Sequence, residues 1–439
     1  MINSERPPID EDSLPKLLHA GMGRAVHYLL QEDLRQYRDI ILDEALHNRI
    51  FDPQTECKRA EYLYSLIKHS GEEDYYREKI IDALVDVTDC ADALQLFDFA
   101  VIFAEAGYER AREVAYQKFA KNDTKYEDYC GDYALIRIDG INGLLYVLDV
   151  LGAAEYEDYI SQWLIEEAEG IAGADEVHSA LVKAAAENKN IAAALSIANY
   201  PYSPSFTTEE VLLVREHIMR VDSQSRREGL EELTWEEAKK VEPTKLGFWA
   251  KQAPEEELIK VAEELIGASS PKDIKTYLRM FMTREFPLEP IHLMAFLDSE
   301  DEFIQNRARK ILSDMEYPEV RRLFFEWYEQ PEKAWRAVRF LKENYAPGDY
   351  EFIETLLNSE KDPDSLHTIC CDTLDVFKEN PLPELLPALM LVYNQSPCSM
   401  CRASSVESMH SISDLPEWLI EESVYDADDG LRVLAQSLI

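Results

Sequence analysis

The side chains with the most evident chemical potential in this sequence are two cysteines, Cys398 and Cys401, in the segment Pro397-Cys398-Ser399-Met400-Cys401-Arg402. A helix starting here places Cys398 at its amino end, where the helix dipole lowers a thiol pKa, and Arg402 adds positive charge. A redox dithiol uses that arrangement. The same pair is also half of a tetrahedral zinc set, to which His410, His367 or the adjacent Cys370 and Cys371 could add the rest. Neither the strand-then-helix context of a thioredoxin-like motif nor a second CxxC accompanies it. The expectation is therefore of two small, soft residues packed at a turn, with no metal and no cofactor. Cys398, Cys401 and His410 stand as candidate ligands only.

Other chemistry is harder to place. The nine histidines form no HxxxH or HExxH, and neither GxxxxGK[ST], GxGxxG after a strand, nor GxSxG occurs. Acidic clusters recur at Glu166-Glu167, Glu231-Glu232, Glu236-Glu237, Glu255-Glu256-Glu257 and Asp426-Ala427-Asp428-Asp429. The last is similar to a calcium loop, but its Gly comes one position early and no Glu follows at the twelfth. These acids are expected on solvated helix faces and in first turns. An aromatic strip, Tyr200, Tyr202 and Phe206, with Trp235 and Trp249 downstream, is a candidate binding groove, because aromatic residues dominate interface hot spots.

The elements that must carry these residues read as helices. Ala60, Tyr62, Leu63, Leu66 and Ile67 follow the three-and-four spacing of one buried helical face. The segment from Gly71 repeats that pattern with acids in its first turn. Residues 93–120 read as a helical hairpin broken near Gly107. No segment sustains period-two alternation, and 15 glycines are few for a turn-rich sheet protein. With 46% hydrophobic residues the 439-residue chain has material for a continuous core, and disorder is not expected.

Charge narrows the partners. The 86 acidic residues against 45 basic give a formal net of −41, which repels a phosphate backbone and attracts basic proteins or peptides. Short basic stripes occur at Arg220, Arg226 and Arg227, and at Arg307, Arg309 and Lys310. No stretch approaches the roughly 18 apolar residues of a membrane span. The amino terminus lacks a basic and then apolar leader, and seven irregularly spaced cysteines suit reduced thiols. A cytoplasmic protein is the expectation.

The carboxy-terminal third repeats itself. Leu297, Tyr328, Leu357, Tyr393 and Tyr425 each close one apolar segment before a polar turn and a second helix, with spacings of 31, 29, 36 and 32 by subtraction. A period in this range indicates stacked hairpins, since one hairpin cannot bury its own apolar face. The pattern resembles HEAT repeats, which carry an Asp in the inter-helix turn and an Arg early in the second helix. Asp298 with Arg307, and Asp426 with Arg432, fit that pattern, and Arg110 and Arg112 fit it without the turn Asp. The resemblance implies an all-α α-solenoid of antiparallel helical hairpins. A lead-in at 1–12, an amino-terminal half at 13–205 and a carboxy-terminal half at 206–439 follow from the interruption at 196–208. It implies a non-catalytic scaffold for a protein or peptide, basic by charge complementarity. Asn306, Arg307, Trp335 and Arg336 are then candidate contact residues, alongside Tyr200, Tyr202 and Phe206. HEAT-like DNA glycosylases and bilin-lyase-like maturation factors are the enzymatic alternatives. The first needs a basic groove, and the second a bound chromophore or metal.

Overall fold

A computed structural model describes residues 5–10, 13–52, 56, 59–123, 130–154, 162–202, 209–210, 230 and 233–439. Among them the regular structure is helical, with no strand. The chain divides into two bodies: Pro7–Met219 with Trp418–Ile439, and Arg220–Glu417 with Met1–Arg6.

The first body runs through α1 (Leu14–His19), α2 (Gly23–Leu29), α3 (Arg38–Leu46), α4 (Arg59–His69), α5 (Glu73–Asp86) and α6 (Cys90–Glu105). It continues with α7 (Glu109–Lys121), α8 (Asp132–Asp139), α9 (Ile141–Ala153), α10 (Gln162–Ala172), α11 (Ala174–Glu187) and α12 (Lys189–Ile197). The five apolar residues expected on one face of α4 are all buried. The expected break at Gly107 separates α6 from α7, and its φ of +88° is a conformation that glycine adopts without steric cost. Helix starts follow local chemistry: the Asp89 carboxylate accepts from the Ala91 and Asp92 amides to cap α6, and the Asn188 side chain caps α12. Among the described residues no segment forms a strand, in keeping with the lack of period-two alternation.

The second body contains α13 (Trp235–Ala238), α14 (Pro243–Gln252), α15 (Glu255–Gly267), α16 (Pro271–Met280) and α17 (Ile291–Met294), which runs into a 3-10 turn at Ala295–Asp298. Next come α18 (Glu302–Ser313) and α19 (Pro318–Tyr328), followed by short 3-10 turns at Ala334–Arg336 and Val338–Leu341. It ends with α20 (Tyr350–Ser359), α21 (Pro363–Glu379), α22 (Leu386–Gln395) and α23 (Ser399–Ile412). Leu297, Tyr328, Leu357 and Tyr393 each lie in or at the end of the first helical segment of a pair, as the repeat alignment expects. First segments pack on first segments, α20 on α22, and second on second, α21 on α23.

The fifth aligned pair, α24 (Glu417–Ser423) and α25 (Asp429–Ser437), falls almost wholly in the first body. There Arg24 donates to the Glu422 carboxylate at 2.8 Å, both side chains being buried. The Ala427 amide donates to the Gly21 carbonyl at 2.9 Å. Gly23 makes this approach possible, since a Cβ there would stand 1.9 Å from the Glu422 carbonyl oxygen. The two Asp–Arg pairs of the sequence pattern sit in different surroundings. Arg432 donates to the Asp426 and Ala427 carbonyls and braces its turn. Arg307 instead lies over the Phe303 ring at 4.9 Å, while Asp298 meets Lys333. No helix among the described residues is long and apolar enough to cross a membrane.

Candidate metal centre

The residues that converge come from one helix face and one helix start. Helix α21 opens with Asp362 accepting from the Ser365 amide and with Pro363 in its first turn, where the missing N–H costs nothing. Its fifth and ninth residues, His367 and Cys371, are four apart and therefore share a face. Helix α23 opens with Cys398 as the extended N-cap residue, φ −89° and ψ 127°, and Cys401 follows within its first turn. The Ser396 hydroxyl accepts from the Cys398 amide at 3.2 Å, and the buried Arg402 side chain reaches the Ser396 carbonyl. Arg402, expected to lend charge to the thiols, holds the loop that presents Cys398. Packing of α21 against α23 closes the two pairs on each other.

Cys371 Sγ lies 3.4 Å from His367 Nε2 and 3.6 Å from Cys401 Sγ, and these three ligand atoms all fall within 4.8 Å of one another. The Cys398 thiol interacts with both Cys401 and His367. With Zn–S near 2.3 Å and Zn–N near 2.0–2.1 Å, a tetrahedral site has S···S edges of about 3.8 Å and S···N edges of about 3.6 Å. The Cys371–His367 and Cys371–Cys401 separations match these edges within a few tenths of an ångström.

Electrostatics also suit a cation. Hydrogen bonding to Cys371 and Cys398 pushes the His367 imidazole up to about 10 against the opposing effect of burial. Cys398 is held down to about 4 and Cys371 to about 6, each chiefly by a hydrogen bond from Cys401, whose own thiol is raised by those same two neighbours. The cluster thus holds thiolate character, and thiolate is the metal-binding form. Burial pushes the neighbouring Cys370 up to about 12 and makes it an inert core thiol. On a neighbouring face of α21, Asp372 is fully buried between Arg309 at 2.9 Å and Arg339 at 3.0 Å, which ties the helix to α18 and to the 3-10 turn Val338–Leu341.

The other sequence candidates lie apart from this cluster. His410 is exposed in the last turn of α23, so His367 and Cys371 take the place offered to it. The spacing of four between His367 and Cys371 was the available signal, and a search for paired histidines alone passes over it. Tyr200 is core, with its hydroxyl 3.2 Å from His178 Nδ1; Tyr202 is half-buried, and Phe206 lies outside the described residues. Trp235 and Trp249 are buried against each other with ring centroids 5.4 Å apart, so they form core where a groove was expected. Asn306 is exposed, whereas Arg307, Trp335 and Arg336 are half-buried. Arg336 stacks on Trp335 and bonds Gln305 and Glu302. Asp428 caps α25 by accepting from the Leu431 amide, which accounts for the calcium-like run as a helix start. The six described cysteines are all free thiols. No known protein family, curated protein or solved structure matches this chain.

Proposed function

We propose that the chain is a HEAT-like α-solenoid scaffold whose carboxy-terminal repeats are pinned by one structural zinc ion, held by His367, Cys371, Cys398 and Cys401. The observation that carries the metal reading is the convergence of His367, Cys371 and Cys401, from two helical pairs, at separations near those of a zinc tetrahedron, with Cys398 interacting with His367 and Cys401 beside them. Soft thiolates with one imidazole favour zinc over magnesium or calcium. Four protein ligands leave no open position for water, so the ion is structural and not catalytic. It joins α21 to α23 in the way that a disulfide joins segments in an oxidising compartment.

Pairwise stacking of successive helical segments supports the solenoid reading. A net charge of −41 supports a basic protein segment as the ligand of the curved surface. Affinity capture from a lysate across a salt series tests the scaffold reading. A basic protein is expected to be retained at low salt and released as screening shortens the electrostatic range to about 8 Å near physiological ionic strength. Retention of neutral or acidic partners only, indifferent to salt, would contradict it.

A further inference from the structure

The three thiols of the metal centre are not equally reachable. Cys398 and Cys401 are buried, at 4% and 6% exposure, whereas Cys371 is half-buried on its face of α21. A small reagent in solution therefore meets Cys371 before its two neighbours. The Cys371 sulfur already touches a second one, because Cys401 Sγ lies 3.6 Å away across the packing of α21 on α23. Cys370, adjacent in sequence, has no exposed surface and stays out of reach. Around this pair the other polar groups hold position: His367 Nε2 is 3.4 Å from Cys371 Sγ on the same helix, and the fully buried Arg402 reaches the Ser396 carbonyl. An accessible thiol with a second thiol against it is the arrangement that captures a first oxidation product as a disulfide.

We propose that Cys371 is a site of oxidation by hydrogen peroxide and that the product is a disulfide to Cys401, whose formation expels the zinc ion; the expulsion rests on the metal centre proposed for these residues. The Cys371 sulfur attacks one peroxide oxygen, the O–O bond breaks, and one oxygen leaves as water while the other stays on sulfur as a sulfenic acid. The Cys401 sulfur then attacks the Cys371 sulfur. An S–S bond forms, the S–O bond breaks and a second water departs. The two sulfurs together lose two electrons and the peroxide gains them. Both protons come from the thiols when no metal is bound, and from solvent when zinc has taken their place. Zinc then retains only His367 and Cys398, where a closed structural site uses four ligands, and it leaves as the free ion. The new bond joins α21 to α23 in turn, so one cross-link replaces the other.

The test uses the full-length protein, once loaded with zinc and once stripped with a chelator, each treated with a small excess of hydrogen peroxide. Free thiols, released zinc and disulfide-linked peptides are then measured. Loss of two thiols per chain is expected in both samples, with one zinc released per chain from the loaded one. Dithiothreitol followed by zinc should reverse both changes. Trypsin puts Cys371 and Cys401 in different peptides but leaves Cys398 and Cys401 in the same one, so the expected bond appears as a cross-linked peptide pair. Fragmentation of that pair assigns it to Cys371 over Cys370 and to Cys401 over Cys398. A disulfide through Cys398, thiol loss as sulfinic acid without a cross-link, or thiols that survive the peroxide would overturn the proposal. The Cys371–Cys401 bond in a protein that never holds zinc would sustain the oxidation site and defeat the metal reading alone. Zinc retained beside unreacted thiols would do the reverse.

Discussion

At the residue scale, two carboxyl groups withdrawn from water show how differently desolvation can be resolved. Asp372 is fully buried and burial raises its carboxyl, yet Arg309 and Arg339 hold both of its oxygens. Removing a buried partner strands its counter-charges. Asp372→Ala is therefore expected to cost about 3–5 kcal/mol in chemical denaturation, whereas Asp375→Ala, at the more exposed edge of the same network, should cost less than about 1 kcal/mol. Equal costs would remove the energetic reason for calling the Arg309–Asp372–Arg339 triad a buried brace. At Asp98 the charged neighbour that shifts the carboxyl is negative. Burial, reinforced by the negative charge of Glu61, pushes it up to about 7 from an ordinary 3.8. Since the folded state favours its neutral form, its contribution to stability is full below pH 3.8 and is lost as pH rises through 7. Asp98→Asn should therefore raise the melting temperature at pH 8 and leave it nearly unchanged at pH 4. A shift of equal size at both values would show that this carboxyl does not titrate as its burial implies.

At the element scale, helix packing depends on positions where no side chain fits. Gly152 in α9 is one, since a Cβ there would lie 2.0 Å from the Asn190 carbonyl oxygen at the start of α12. Backbone cannot yield as a flexible side chain can, so Gly152→Ala is expected to cost about 1–3 kcal/mol by forcing α9 and α12 apart. A neutral or stabilising effect, as helix propensity alone would give, would contradict that packing. Much at this scale was legible in the sequence. The buried face of α4, the break at Gly107 and the first-segment ends at Leu297, Tyr328, Leu357 and Tyr393 all follow from apolar spacing and turn chemistry. The candidate site was legible only by halves. Cys398 and Cys401 are neighbours in sequence, but His367 and Cys371 reach them only through the packing of α21 on α23, and a spacing along the chain does not encode that approach. The same limit explains the aromatics. Periodicity marks Tyr200, Trp235 and Trp249 as able to be buried or displayed, and only the packing decides that they are core.

At the scale of the whole molecule, the two ends of the chain are tied down by different chemistry. The final helical pair returns to the first helices through Arg24 and Glu422, so the carboxy-terminal residues stabilise the amino-terminal body. In the second body the four soft ligands gather on α21 and at the start of α23. Structural zinc contributes on the order of 10 kcal/mol in small domains, and even a fraction of that would dominate the local stability of α21 and α23. The most direct test is elemental analysis of the protein purified without chelator or affinity metal, with Cys371→Ser and His410→Ala alongside. The account predicts one zinc per chain in the wild type and in His410→Ala. It also predicts loss of the metal in Cys371→Ser, with a fall of roughly 5–10 °C in melting temperature. A wild-type protein that carries no metal, takes up none from added zinc and melts at the same temperature with a chelator present would contradict it.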